Sequence, residues 1–316
     1  MGVKVLYLKS PLKEKIYGGT RIQKKFGFEK ELNKKIGEYW AISAHDNGPS
    51  ILLNEEFKGM TLKQVYDEHR DLFANDTSSK FPLLVKINEI TSPVSVQVHP
   101  NDEYAKKYAN DLGKAEFCLF LDVEEGTKVI RGHSAQSKEE FKAMVDEGDW
   151  DSLFLRKDVK SDDYVYTPAG IIHGVEGKMM MAEVQQSSDV TYRIYDYDNV
   201  DVDGKPRELH IDKGIECTSI PHTVVEAEAK TFFEGENKII EYIDNEFFEV
   251  TRYFIKDQLT IKNKRYSLCL VLSGTGVLLE DNKELYPGDS FVVTSKCDEF
   301  KIQGKIELLI SEAPVK

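Results

Sequence analysis

Thr167-Pro168-Ala169-Gly170-Ile171-Ile172-His173 follows directly on the aromatic run Tyr164-Val165-Tyr166 and places a proline, a glycine and then a histidine in an apolar setting. Proline fixes φ and glycine frees it, so the stretch predicts a tight turn between two short extended segments. Working outward, the same texture recurs. Short β-branched or aromatic runs bounded by Gly, Asn, Asp and Pro occupy residues 81–87, 95–99, 116–121 and 179–185, then 190–195, 249–254, 266–272, 276–279 and 290–294. These are too many strands for one flat sheet, and they predict a mainly β fold of sandwich or jelly-roll type.

Helical patterns are fewer. Thr61 and Gln64 have capping-box spacing, with Leu62, Val65, Tyr66, His69, Leu72 and Phe73 on one helical face. Ser137 and Glu140 repeat the device ahead of Phe141, Met144 and Val145, with Gly148 as a stop. A shorter helix is predicted from Asn101 or Asp102 through Tyr108. These segments read as helical insertions around β cores. Residues 200–219 are charged, contain Gly204 and Pro206 and show little periodicity, so they are expected to form a linker. That linker divides the chain into units 1–215 and 225–316. The lysine-rich stretch 13–35 and the acidic stretch 146–163 are expected to be solvated surface.

With 316 residues, 41% of them hydrophobic, the chain can bury two cores and is not disordered. No apolar run approaches the ~18 residues a bilayer span needs, and no secretory leader is recognisable at the start. A net charge of −13 opposes binding to nucleic acid or to anionic membranes, leaving a small molecule as the expected partner. The four cysteines, Cys118, Cys217, Cys269 and Cys297, form no CxxC pair, which suits reduced thiols and a cytoplasmic location.

In a strand over Ser95-Val96-Gln97-Val98-His99-Pro100, Gln97 and His99 project from one face. Glu116 lies in a second strand and His173 follows the Pro-Gly turn. Two imidazoles, a carboxylate and an amide oxygen are together a plausible metal-ligand set with room for water or substrate. A lone strand histidine is more often a hydrogen-bonded core residue. Pro-x-Gly-x-x-His, however, is expected only roughly 0.02 times by chance in such a chain, given usages of ~5% Pro and ~7% Gly.

That motif, Pro168 to His173, resembles the second motif of the cupins. Gln97-Val98-His99-Pro100-Asn101-Asp102 with Gly113-Lys114-Ala115-Glu116 resembles the signature of type I mannose-6-phosphate isomerases. Ile16-Tyr17-Gly18-Gly19, Gly37-Glu38-Tyr39-Trp40, Leu84-Val85-Lys86-Ile87 and residues Thr191 to Asp198 agree with that family. The specific motifs cover residues 1 to about 215. The resemblance implies cupin-type jelly-roll barrels. Residues 1–215 would form a metal-binding catalytic domain and residues 225–316 a cupin-like β domain without a metal site, which covers the first barrel or completes a wall. It also implies interconversion of mannose 6-phosphate and fructose 6-phosphate, with one Zn²⁺ per chain held by Gln97, His99, Glu116 and His173. Arg193 would be catalytic, and Lys114, Glu183 and Asp189 would lie near the substrate. Arg193 is expected to pair with Glu183 or Asp189 when no substrate is present.

Two departures bear on substrate preference: Ala115 stands where the family often has proline, and Asn199 where an arginine often follows Tyr-Asp-Tyr-Asp. The C-terminal unit has no histidine after His222, which excludes a second histidine-based site there. Two other readings stay open on the residues alone. One is a cupin oxygenase using iron or manganese, and the other is a non-catalytic sugar-binding or regulatory cupin.

Overall fold

The computed structural model describes residues 2–201 and 204–314. Its strands form three sheets. A five-stranded sheet runs in the order Tyr192–Tyr195, Val96–Val98, His173–Glu176, Lys128–His133, Phe154–Asp158. A six-stranded sheet runs in the order Tyr164–Thr167, Glu116–Val123, Met179–Gln186, Leu83–Ile90, Ile36–Ile42, Leu12–Gly19. The third sheet has ten strands and carries everything from Lys230–Glu234 to Glu299–Glu312.

The period of two along each strand sorts side chains into layers. In Leu83–Ile90, Val85 and Ile87 join the largest apolar core, whereas Lys86 and Asn88 face a cavity between the five- and six-stranded sheets. Phe117 and Leu119 enter the same core while Glu116, Cys118 and Phe120 face the cavity. From the other side, Leu268, Leu270 and Val292 of the ten-stranded sheet enter that core, and their neighbours Cys269, Val271 and Phe291 form a second, wholly apolar one. The C-terminal sheet therefore backs the wall of the cavity. Among the described residues, no cavity-lining side chain lies beyond His210.

Val5–Lys9 does not belong to either sheet around the cavity. It pairs antiparallel with Ser290–Val293, and Ile51–Leu52 follows it into the ten-stranded sheet. The expected runs 266–272 and 276–279 are one strand, Ser267–Leu278, bent by a register shift near Leu272.

The helices at Leu62–Glu68, Asp102–Tyr108 and Lys138–Glu147 begin at Thr61, Asn101 and Ser137, whose side chains accept from backbone N–H groups. At Thr61 the capping box is complete; the α-helix ends at Glu68, and Leu72 and Phe73 sit in a separate 3₁₀ turn.

The expected linker at residues 200–219 needs correction, because Ile211–Cys217 is a helix packed on Tyr192–Tyr195. Its start carries no side-chain cap. Gly214, a poor helix former, is what permits the close approach: a Cβ there would collide with Ile194. The rule that reads glycine as a break is overridden by packing.

Phe73 contacts Tyr66, Phe81 and Tyr266 in edge-to-face geometry, with centroids 5.1, 6.0 and 5.4 Å away, and so joins the helical insertion to the C-terminal sheet. Phe73→Ala is expected to cost about 3–5 kcal/mol of stability, measured by urea unfolding.

Candidate metal centre and active-site cavity

Strand register brings the chemistry together. His173 lies opposite Gln97 on one side and Arg131 on the other, and Gln97 lies opposite Arg193. Arg131, His173, Gln97 and Arg193 thus form a row across four neighbouring strands, all lining a cavity of about 400 Å³. Glu116, Cys118, Lys86 and Glu183 approach from the facing sheet.

The Pro-Gly turn has a definite task. Gly170 adopts φ +90°, and a Cβ on it would meet Ser219 Oγ at 2.7 Å. Its N–H donates to the His99 carbonyl at 2.9 Å, tying the turn before His173 to the residue just past strand Val96–Val98.

Donor atoms of His99, Glu116 and His173 all lie within 4.8 Å of one another. His99 Nε2 is 3.4 Å from Glu116 Oε2, and His173 Nε2 is 3.2 Å from Glu116 Oε1. Each imidazole is oriented from behind. His99 Nδ1 contacts the Val190 carbonyl at 2.8 Å and His173 Nδ1 the Ile171 carbonyl at 2.9 Å. A carbonyl only accepts, so each Nδ1 carries the proton, and in the neutral ring Nε2 presents a bare lone pair to the centre. Burial, reinforced by the Lys114 charge, pushes His99 down to about 3 and keeps it neutral. Burial alone would raise Glu116, yet Lys114 and the histidines hold it well below the usual carboxylate range.

The donor set fits a divalent metal: two imidazole lone pairs, one carboxylate and an adjacent amide. The Lys114 ammonium, 3.0 Å from His99 Nε2 and 3.2 Å from Glu116 Oε2, occupies the position of a cation drawn to those atoms. Gln97 Nε2 lies 3.3 Å from His173 Nε2 and 3.5 Å from His99 Nε2. A half-turn of the amide exchanges N for O, and an oxygen facing two lone pairs is favourable only with a cation between them.

The other expected residues fall unevenly. Glu183 is buried, 3.6 Å from Lys86 and 3.8 Å from Lys114, and its Oε1 has no hydrogen-bond partner. Asp189 is exposed at the rim and accepts from Asn47. Arg193 pairs with neither, contrary to expectation, because Glu183 is engaged by the two lysines and Asp189, at the rim, by Asn47. Among the described residues Arg193 makes no ion pair, and its buried Nε has no partner. It does alternate with Tyr192, which packs into the core behind the sheet.

Sequence reasoning assigned no role to Glu38, Lys86, Tyr17, Arg131 or Arg207, all of which line the cavity, and it placed Lys15 on the surface. Lys15 lies 3.4 Å from Glu38. Glu38 also accepts from Tyr17 Oη at 2.7 Å and Trp40 Nε1 at 2.6 Å. The signal was present in strand alternation, since Glu38 and Lys86 fall on the face of their strands opposite the one that feeds the core.

Residues 5–123 match the phosphomannose isomerase type I catalytic domain, and residues 238–313 the mannose-6-phosphate isomerase cupin domain. The mannose-6-phosphate isomerase of Streptococcus mutans is 37% identical over 98% of both chains. The chain belongs to the type I phosphomannose isomerase family. Mannose-6-phosphate isomerase ManA of Bacillus subtilis is 36% identical over 98% of this chain and 99% of its own. The crystal structure of a Bacillus subtilis mannose 6-phosphate isomerase, 35% identical, superposes with a TM-score of 0.94 over 98% of this chain and all of that one. The mainly β fold with a cupin domain is that of the family.

Glu38 provides a test of the buried charge. Burial by itself would raise its carboxyl, but Lys86 and Lys15, with the Trp40 and Tyr17 donors, hold it at about 2. Because the folded value is depressed, the stabilisation is complete above about pH 5 and is lost as pH falls towards 2, amounting to about 3 kcal/mol. Glu38→Gln should make that acid limb shallower in urea unfolding measured between pH 2 and 7.

Proposed function

We propose that this protein interconverts mannose 6-phosphate and fructose 6-phosphate, using one zinc ion per chain held by Gln97, His99, Glu116 and His173. The observation that carries the reading is the convergence of His99, Glu116 and His173, each imidazole fixed by a carbonyl, inside the cavity of a type I phosphomannose isomerase chain. When bound, the metal supplies residual positive charge that stabilises negative charge on a sugar oxygen.

The reaction removes a proton from C2, delivers one to C1, and moves the hydroxyl proton from O2 to O1 through an enediol. Glu183 is the acid-base group of choice, because its Oε1 is buried and without a hydrogen-bond partner, whereas Asp189 is exposed to solvent. Lys86 and Lys114 flank Glu183 at 3.6 and 3.8 Å and hold its carboxylate against the cavity wall. Arg193, lacking an acidic partner, supplies a fixed guanidinium for charge developing on oxygen. Residues 1–215 form the catalytic unit in this reading, and residues 225–316 form the support behind the cavity. The four cysteines are free thiols, which supports a cytoplasmic location.

Metal analysis and an isomerase assay on one preparation test the proposal together. One equivalent of zinc is expected, and Glu116→Gln should lower metal content and turnover in parallel. Full metal and full turnover in that variant would make Glu116 structural. Arg193→Ala should lower kcat by roughly 10²- to 10³-fold with the metal retained. Binding of sugar phosphate without exchange of its C2 proton with solvent would point instead to a non-catalytic protein, and loss of activity without oxygen to an oxygenase.

A further inference from the structure

The cations lining the cavity are not equally committed. Lys15 is matched by Glu38, Lys86 by Glu183, Lys114 by Glu116, and Arg131 by Glu226 together with the Val225 and Tyr166 carbonyls. Arg193 has no acidic partner among the described residues, and the single buried carboxylate near it, Asp196, is taken by Arg207. That grip is two-pronged: Arg207 Nε donates to Asp196 Oδ2 at 2.7 Å and Nη2 donates to Oδ1. A second hold on Asp196 comes from Asn199, whose Nδ2 also donates to the Pro93 carbonyl. Arg207 Nη1 makes no hydrogen bond among the described residues.

Two guanidiniums thus lie near one carboxylate that only Arg207 bonds, and the surplus at the edge-strand end of the cavity is positive. Burial of Arg193, added to its repulsion by Arg207, pushes the Arg193 guanidinium down from its ordinary value. Like charges held together this way are relieved by an anion. Position fits the proposed substrate. Arg193 sits one strand away from Gln97, on the edge strand of the sheet, and the segment carrying Arg207 runs along that edge, where the His210 N–H donates to the Arg193 carbonyl at 2.8 Å. Two inter-strand spacings, ~10 Å, separate that end from the His173 strand, which suits the span of a hexose from its C1–C2 end to a group on C6.

We propose that Arg207, aligned by Asp196, binds the phosphate of the substrate, while Arg193 stands between it and the reacting carbons. This rests on the sugar-phosphate reading above. It assigns the two arginines different work. Arg207 holds a charge that is the same in substrate and transition state, so its loss acts on KM. Arg193 meets charge that develops during the reaction, so its loss acts on kcat.

The test uses the full-length metal-loaded protein, with Arg207→Ala, Arg207→Lys and the double variant Arg207→Ala/Asp196→Asn, which avoids stranding a buried carboxylate. Steady-state kinetics with mannose 6-phosphate and competition by inorganic phosphate are measured together with metal content. The expected result is a KM and a phosphate inhibition constant both raised roughly 10- to 100-fold in Arg207→Ala and the double variant. Arg207→Lys should be intermediate, with kcat within about threefold and metal unchanged. Unchanged phosphate competition, a fall in kcat at constant KM, or loss of folded protein in all three variants would overturn it and leave Arg207 a structural partner of Asp196. If the parent protein turns over no mannose 6-phosphate, yet inorganic phosphate binds it in an Arg207-dependent way by calorimetry, the subsite stands and the isomerase reading falls.

Discussion

Three carboxylates, Glu38, Glu116 and Glu183, lie buried between two sheets, and each is met by a lysine within 4 Å: Lys15, Lys114 and Lys86. An unpaired buried charge costs several kcal/mol, so without those partners the two sheets could not close over the carboxylates. The charge matching therefore has to be complete before a cavity lined by ionic side chains exists at all. It also explains why the site is built on strands. Only a pleated wall can present ionic side chains inward at every second residue while the residues between them feed an apolar core on the other side.

That wall needs support, and the ten-stranded sheet supplies it. Leu268, Leu270 and Val292 enter the same core as Val85, Ile87, Phe117 and Leu119, so the strands carrying Lys86 and Glu116 are backed on the face away from the cavity. The N-terminal strand Val5–Lys9 ties the two parts together by pairing with Ser290–Val293, and Tyr39 Oη donates to the Gly288 carbonyl. The C-terminal sheet contributes rigidity without contributing a cavity-lining side chain among the described residues. A site that depends on donor atoms being held to within a fraction of an ångström benefits from a support of this kind.

The metal-capable cluster is likewise oriented from outside itself. Val190 and Ile171 carbonyls fix both imidazole tautomers, and the Gly170 N–H binds the His99 carbonyl. The turn Pro168-Ala169-Gly170 is thus part of the mechanical frame of the site. At the far end of the cavity, Asp196 performs the same orienting task for Arg207.

The sequence by itself determined the β character, the three capped helices and the ligand-capable residues Gln97, His99, Glu116 and His173. Those signals are local: alternation, cap spacing and a Pro-Gly turn act over a handful of neighbours. It also carried enough of the family's motifs to indicate type I phosphomannose isomerase. Only the tertiary structure decided that Val5–Lys9 pairs with a strand nearly three hundred residues away, because strand pairing across such a distance leaves no local trace. The same holds for the helix at Ile211–Cys217, which rests on the packing of Gly214 against Ile194. It holds as well for Arg193, whose expected partners are engaged elsewhere, Glu183 by Lys86 and Lys114 and Asp189 by Asn47, a balance that exists only once the sheets face each other.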